Sequence, residues 1–315
     1  MVKAFVFPGQ GSQAVGMGRE LAEAFTTARL LFEEVDDALG QNLSRLMFEG
    51  PESDLTLTEN AQPALMAVSL AVMRVLEADG GLDLAKSARC VAGHSLGEYS
   101  ALAAAGTFRV ADAARLLKTR GQAMQRAVPV GEGAMAALLG LDFEAAERVA
   151  EQAASDTGLV CQAANDNAPG QVVVSGAKAA VERAIVVAAE QGCRRSILLP
   201  VSAPFHCALM EPAAKVMADA LKGVALRPPC VPVVANVTAA LERDPEVIRR
   251  LLVEQVTATV RWRESVLAMK DAGVDTLVEV GVGRVLSGLV KRIDRDLAAL
   301  AVHTPADVEQ FLAAV

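Results

Sequence analysis

The most constraining feature of this chain is the pentapeptide Gly93-His94-Ser95-Leu96-Gly97, set between the short apolar run Cys90-Val91-Ala92 and a helical stretch from Glu98 to Ala105. G-x-S-x-G carries a mechanism only when it joins a strand to a helix, and that is its context here. The turn is tight, and its two glycines let neighbouring backbone approach where a Cβ would clash. It lifts the Ser95 hydroxyl clear of the sheet edge and leaves the Leu96 amide at a helix N-terminus, aimed at a developing negative charge. Ser95 is therefore the candidate nucleophile and Leu96 a candidate oxyanion donor. The bland alternative, since the bare motif often arises by chance, is a serine in an ordinary strand–helix turn.

The rest of the chain supplies a sheet for such an elbow. Ala4 to Phe7 reads as a first strand, followed by the Gly-rich Pro8-Gly9 loop. Helical spacing runs through Arg19–Leu39, Gln62–Ala78 (with Pro63 in the first turn), Glu98–Ala105 and Val110–Ala127. Beyond Val128 the pattern changes to strand 133–141, helix 143–155 capped by Asp142, strands 159–164 and 171–175 around the turn-rich 165–170, helix 179–191 and strand 196–199. That β-α-β-β-α-β order is the split βαβ, or ferredoxin-like, unit. We expect a small domain at 128–199 inserted into a larger α/β domain of 1–127 and 200–315. After Pro200, helices 210–221, 245–256, 263–272 and 285–293 and a terminal one from Asp307 to Ala314 alternate with strands 231–235, 276–280 and 299–302, implying a mostly parallel sheet.

Composition narrows the function classes. About half the residues are apolar, the aromatics are few, and the net charge is −8. A nucleic-acid binder usually shows a basic surplus, so that class is disfavoured. No apolar run approaches the ~20 residues of a membrane span, and the N-terminus has no long secretory h-region. Five dispersed cysteines without C-x-x-C read as reduced thiols of a cytosolic protein rather than disulfides or a metal site.

Ser95 needs a base, and the chain holds three histidines, His94, His206 and His303. His94 lies inside the elbow, its side chain pointing away from that of Ser95. His206 sits in a loop held by Pro200 and Pro204 after a strand, where parallel sheets build sites. His303 ends the last strand, which suits the C-terminal histidine of an α/β-hydrolase. Position favours His206 only narrowly, so a hydrolase using Ser95 and His303 stays open. The glycines after the first strand also resemble a dinucleotide fingerprint, but the following stretch is helical where that fingerprint expects a strand ending in an acid.

Five ordered motifs make the chain resemble the malonyl-CoA:acyl carrier protein transacylases of fatty-acid synthesis: Phe7–Gln13 (FPGQGSQ), Ala92–Leu102 (AGHSLGEYSAL), Arg120–Gln125 (RGQAMQ), Asn167–Gln171 (NAPGQ) and Pro204–Met210 (PFHCALM), with Glu279-Val280-Gly281 near the end. The resemblance spans essentially the whole chain. It implies Ser95 as nucleophile, His206 as base, a main-chain carbonyl at Gln255 orienting the histidine, and the Gln10 amide as oxyanion donor beside Leu96. It further implies Arg120 as partner of the malonyl carboxylate, Asn167 as shaping the site and Phe205 as limiting the acyl group. Without it, Arg120 would read as a solvated helix residue and Phe205 as core. The implied substrates are malonyl-CoA and an acidic acyl carrier protein that carries its own phosphopantetheine, with no cofactor or metal on this chain. A monomer is expected. Docking would use a local basic patch, Lys291-Arg292 with Arg295 or Arg194-Arg195, each alternatively an ordinary solvated face.

Overall fold

Runs of Ala, Val, Leu and Phe without a polar face must be covered on both sides, and the central strands of this chain are such runs. In the computed structural model, which describes residues 1–314, strands β1 (Lys3–Phe7), β2 (Ala88–Gly93), β7 (Val233–Val234), β8 (Leu241–Glu242), β9 (Thr276–Val280) and β10 (Ala298–Val302) form one sheet in the order β10-β9-β1-β2-β7-β8. All its pairings are parallel except β8 on β7. The register sets Phe7 opposite Gly93, so the loops after β1 and β2 emerge side by side at the carboxyl ends of neighbouring strands. That is where parallel sheets form sites.

The second sheet comes from β3 (Gly133–Leu139), β4 (Cys161–Ala168), β5 (Gln171–Ala177) and β6 (Arg195–Leu198), in the order β4-β5-β3-β6 with every pair antiparallel. This is the ferredoxin-like arrangement. Alternation explains its placement. Ala134, Ala136, Leu138, Val172 and Val174 face helices Phe143–Thr157 and Lys178–Glu190 in the unit's own core, while Met135, Ala137 and Val173 turn into the core of the large domain.

Several expectations are corrected. The helix expected over Arg19–Leu39 breaks at Phe25, which is extended (φ −126°, ψ 117°), into Arg19–Ala24 and Thr26–Leu39. The β-branched pair Thr26-Thr27 follows the break, and Thr27 donates its hydroxyl to Asp79. The second long helix starts at Thr58, not Gln62, so Pro63 lies beyond the first turn. This helix, Thr58–Ala78, is long and apolar enough to span a bilayer by length and composition, contrary to the reading of the sequence, but 83% of its apolar window is buried within the fold. The segment 165–170 is not all turn. β4 continues to Ala168, its Asn and Asp residues accommodated by two register irregularities against β5, and Pro169-Gly170 alone makes the turn. The strand expected at 231–235 shortens to Val233–Val234, and β8 and the short helices Leu43–Glu49, Glu52–Leu55 and Leu84–Ser87 have no counterpart in the sequence reading.

Candidate active site

The elbow forms by close backbone contact. A Cβ on Gly93 would lie 1.9 Å from the Gly97 carbonyl, and one on Gly97 would lie 2.2 Å from Phe7 O, so the turn after β2 is pressed against the end of β1. Ser95 adopts φ 53°, ψ −111°, a region L-residues rarely occupy. Asn236, just after β7, holds it there. Its Oδ1 accepts from Ser95 N–H (2.8 Å) and its Nδ2 donates to Gly93 O (2.7 Å). Helix Leu96–Ala104 starts immediately after Ser95, placing the Leu96 amide at its N-terminus.

His206, itself at φ 58°, is nearly fully buried, with Nε2 2.8 Å from Ser95 Oγ and Nδ1 2.8 Å from the main-chain oxygen of Gln255. A carbonyl can only accept, so Nδ1 carries the proton and Nε2 is left to accept from the serine. Burial, followed by the Arg120 guanidinium, lowers the His206 pKa to about 3, so the ring is a neutral base at ordinary pH. His303 is not at the site. It directly follows the edge strand β10, three places from β2 in the sheet, with its Nδ1 3.0 Å from Asp307 Oδ2. The alternative base is thereby removed.

Arg120 is only 1% exposed, so it is no solvated helix residue. Its guanidinium donates to Gln62 Oε1 (2.8 Å), Gln255 Oε1 (2.9 Å) and Ser95 Oγ (3.1 Å), and lies 5.7 Å from the Tyr99 ring centroid. These direct partners are all neutral, so the cation keeps its charge for an anion in the pocket. The pocket has a volume of about 500 Å³ and is lined by Gln10, Ser95, Leu96, Arg120, Phe205 and His206 among others. Gln10 Nε2 donates to Thr58 Oγ1 (3.1 Å), anchoring the loop after β1 over the elbow.

Gln255 does more than offer its carbonyl. Its Nε2 donates to Ser95 O (3.0 Å) and Glu98 Oε2 (2.8 Å). Asn167 does not line the pocket; Asn165 does. Instead Asn167 Oδ1 lies 2.8 Å from His94 Nε2, tying the inserted domain to the elbow. The half-buried His94 ring also packs on Trp262 (5.8 Å between centroids) and itself lines the pocket. Cys207 beside the base is buried, its thiol held up in pKa by that burial, and serves as a filler with Sγ on Pro204 O (3.2 Å). Glu279 caps helix Val285–Ile293, accepting from the amides of Leu286 and Ser287 (3.0 and 2.7 Å). Gln62, Asn236 and Glu98 were not singled out from the sequence. Gln62 and Asn236 had one usable signal each, an amide within a long apolar helix and a lone amide ending an apolar strand. Among the described residues no group of His, Cys, Asp and Glu could hold a metal ion.

A serine and a histidine joined across a strand–turn–helix elbow on a parallel sheet, with an arginine on the serine hydroxyl, define an α/β enzyme of the serine–histidine class. The model of the acyl transferase domain matches residues 4–302, and the chain belongs to that family. It is 46% identical over 306 residues to the malonyl CoA-acyl carrier protein transacylase of Bacillus subtilis (strain 168), covering 97% of this chain and 95% of that protein. Among solved structures, an acyl-carrier-protein-S-malonyltransferase from Bartonella henselae matches with a TM-score of 0.96 at 56% identity, over 100% of this chain and 99% of that one. A type II PKS acyl-carrier protein in complex with its malonyl-transacylase matches with a TM-score of 0.96 at 45% identity over 100% of both chains.

Proposed function

We propose that this chain transfers a malonyl group from malonyl-CoA to the phosphopantetheine thiol of an acyl carrier protein in fatty-acid synthesis, through a malonyl ester on Ser95. One observation carries the reading beyond a generic acyl enzyme: the buried Arg120 guanidinium lies on the nucleophile itself, 3.1 Å from Ser95 Oγ. An acyl group attached there brings its far end to a cation with no direct anionic partner. A planar guanidinium binds a carboxylate by two parallel hydrogen bonds.

In the cycle, His206 Nε2 takes the hydroxyl proton as Ser95 Oγ attacks the thioester carbonyl. The amides of Leu96 and Gln10 hold the oxyanion, each worth a factor of about 10² to 10³ in rate. The proton passes to the departing coenzyme A sulfur, leaving the ester. The carrier's thiol then attacks the ester with His206 again as base. Gln255 O stabilises the imidazolium as it forms, in the place a triad carboxylate would take. Phe205 limits the size of the acyl group, and Asn167 acts through His94. We take the domain limits as 1–127 with 200–315, and 128–199.

The chain works as a cytosolic monomer without a cofactor of its own. For the carrier, the two basic stretches belong to one surface. Arg194 packs its side chain on Gly140, whose amide donates to Gly170 O, and Arg292 reaches the side chain of the next residue, Gln171. All five basic residues are exposed.

The deciding experiment is intact mass after mixing the protein with malonyl-CoA and no acceptor. A single malonyl adduct that is lost in Ser95→Ala and discharged by holo carrier protein supports the cycle. Free malonate accumulating without an adduct would instead make the chain a hydrolase.

A further inference from the structure

The site contains a second charge that the cycle above does not use. Glu98 lies in the helix behind the elbow and is 1% exposed. Both of its hydrogen bonds are accepted at Oε2, from Gln255 Nε2 (2.8 Å) and Asn236 N–H (3.1 Å). The same Gln255 amide accepts from Arg120 Nη2 through Oε1. One amide thus stands between a buried guanidinium and a buried carboxylate.

A burial this complete penalises uncompensated charge of either sign. In the empty site Arg120 and Glu98 balance. When a malonyl group reaches Arg120 the buried site and its backing hold two anions and one cation, and the resident carboxylate is the one without a direct bond to the guanidinium. We propose that Glu98 is a resident anion that competes with the substrate carboxylate for Arg120, and that it takes up one proton as the malonyl ester forms. The inference rests on the reading of Arg120 given above. The groups facing Glu98 agree with it. Arg120 comes from helix Val110–Ala127, Tyr99 follows Glu98 on helix Leu96–Ala104, and His206 is neutral across the gap on Gln255. Burial already raises the Glu98 carboxyl to about 7, against the pull of Gln255, Asn236 and Arg120, so little is needed to protonate it fully.

Acyl transfer itself is proton-neutral, because the serine proton leaves on coenzyme A and the malonyl carboxylate arrives ionised. Net uptake therefore reports on the protein. The test is stoichiometric loading of the full chain with malonyl-CoA in weakly buffered indicator dye, with the adduct confirmed by mass. Wild type should take up a substantial fraction of a proton per site at pH 8 and little at pH 6, where Glu98 is already protonated. Acetyl-CoA should give none at either pH. In Glu98→Gln, which retains an acceptor for both hydrogen bonds, uptake should vanish. KM for malonyl-CoA should fall about threefold, the order expected of one nearby charge in a partly polar site, while KM for acetyl-CoA stays put. Adduct without uptake in the wild type, uptake persisting in Glu98→Gln, or a raised malonyl-CoA KM would each overturn the proposal. Arg120→Ala run in parallel separates the causes. If it loses malonyl and acetyl transfer alike, the reading of Arg120 fails and takes this one with it; if its loss is selective for malonyl, a negative result falls on Glu98 alone.

Discussion

At the scale of the residue, the proposed base is tuned by what backs it. His206 leans on a carbonyl rather than a carboxylate, and burial with Arg120 nearby depresses its pKa to about 3. The imidazole should stay competent well below the usual histidine value, so the acid limb of kcat/KM should lie below pH 5; a limb near 6.5 in a pH–rate profile would contradict this. Stability follows the same sign. A histidine whose folded pKa is depressed contributes stability that is complete above its unfolded value of about 6.5 and is lost as pH falls toward 3. His94, also lowered by burial, adds in the same direction. Arg120 is the proposed selector of the acyl group. A charge-assisted hydrogen bond contributes roughly 1.5–3 kcal/mol, so Arg120→Ala should lower kcat/KM for malonyl-CoA by about 10- to 100-fold and leave acetyl-CoA nearly unchanged, as steady-state assays with both donors would show. Ser95 and Arg120 were legible because each sits in a motif. Asn236 was not, because its importance lies in two bonds to residues more than 140 positions away.

At the scale of the element, the strand–turn–helix elbow depends on two glycines for steric rather than flexible reasons. Gly97→Ala would drive a methyl into Phe7 O, and the backbone there cannot yield without parting β1 from β2. We expect a loss of about 3 kcal/mol in denaturant unfolding, with transfer activity abolished. Helices and strands with strong periodicity were readable to within a few residues. The break at Phe25 and the extension of β4 through Asn165-Asp166-Asn167 were not, since local propensity favours a continuous helix in one case and a turn in the other. In β4, pairing with β5 on one side overrides propensity. On the other side Val260 N–H donates to Ala164 O and Val260 O accepts from Asp166 N–H.

At the scale of the whole molecule, the inserted domain works as one wall of the site. Arg263 pairs with the buried Asp166 (2.8 Å) and His94 with Asn167, so β4 is fastened to the large domain beside the elbow. The basic surface at the Gly140–Gly170 corner should matter only for the protein substrate. Charge reversal of Arg194 and Arg292 together should raise KM for the carrier protein severalfold and steepen no other parameter, with loading of Ser95 by malonyl-CoA unchanged; equal carrier KM in the variant would place docking elsewhere. The sequence by itself determined the α/β class, the inserted βαββαβ unit and the elbow, because strand and helix periodicity, turn glycines and a strand–G-x-S-x-G–helix run are local patterns. Position along the chain left His206 and His303 nearly equal, since both follow strands; only the tertiary structure put one of them, His206, against Ser95 Oγ. It alone also revealed the Glu98–Gln255–Arg120 relay, because residues 98, 120 and 255 come from three separate helices or helix ends, and no local pattern records which of them will share one buried amide.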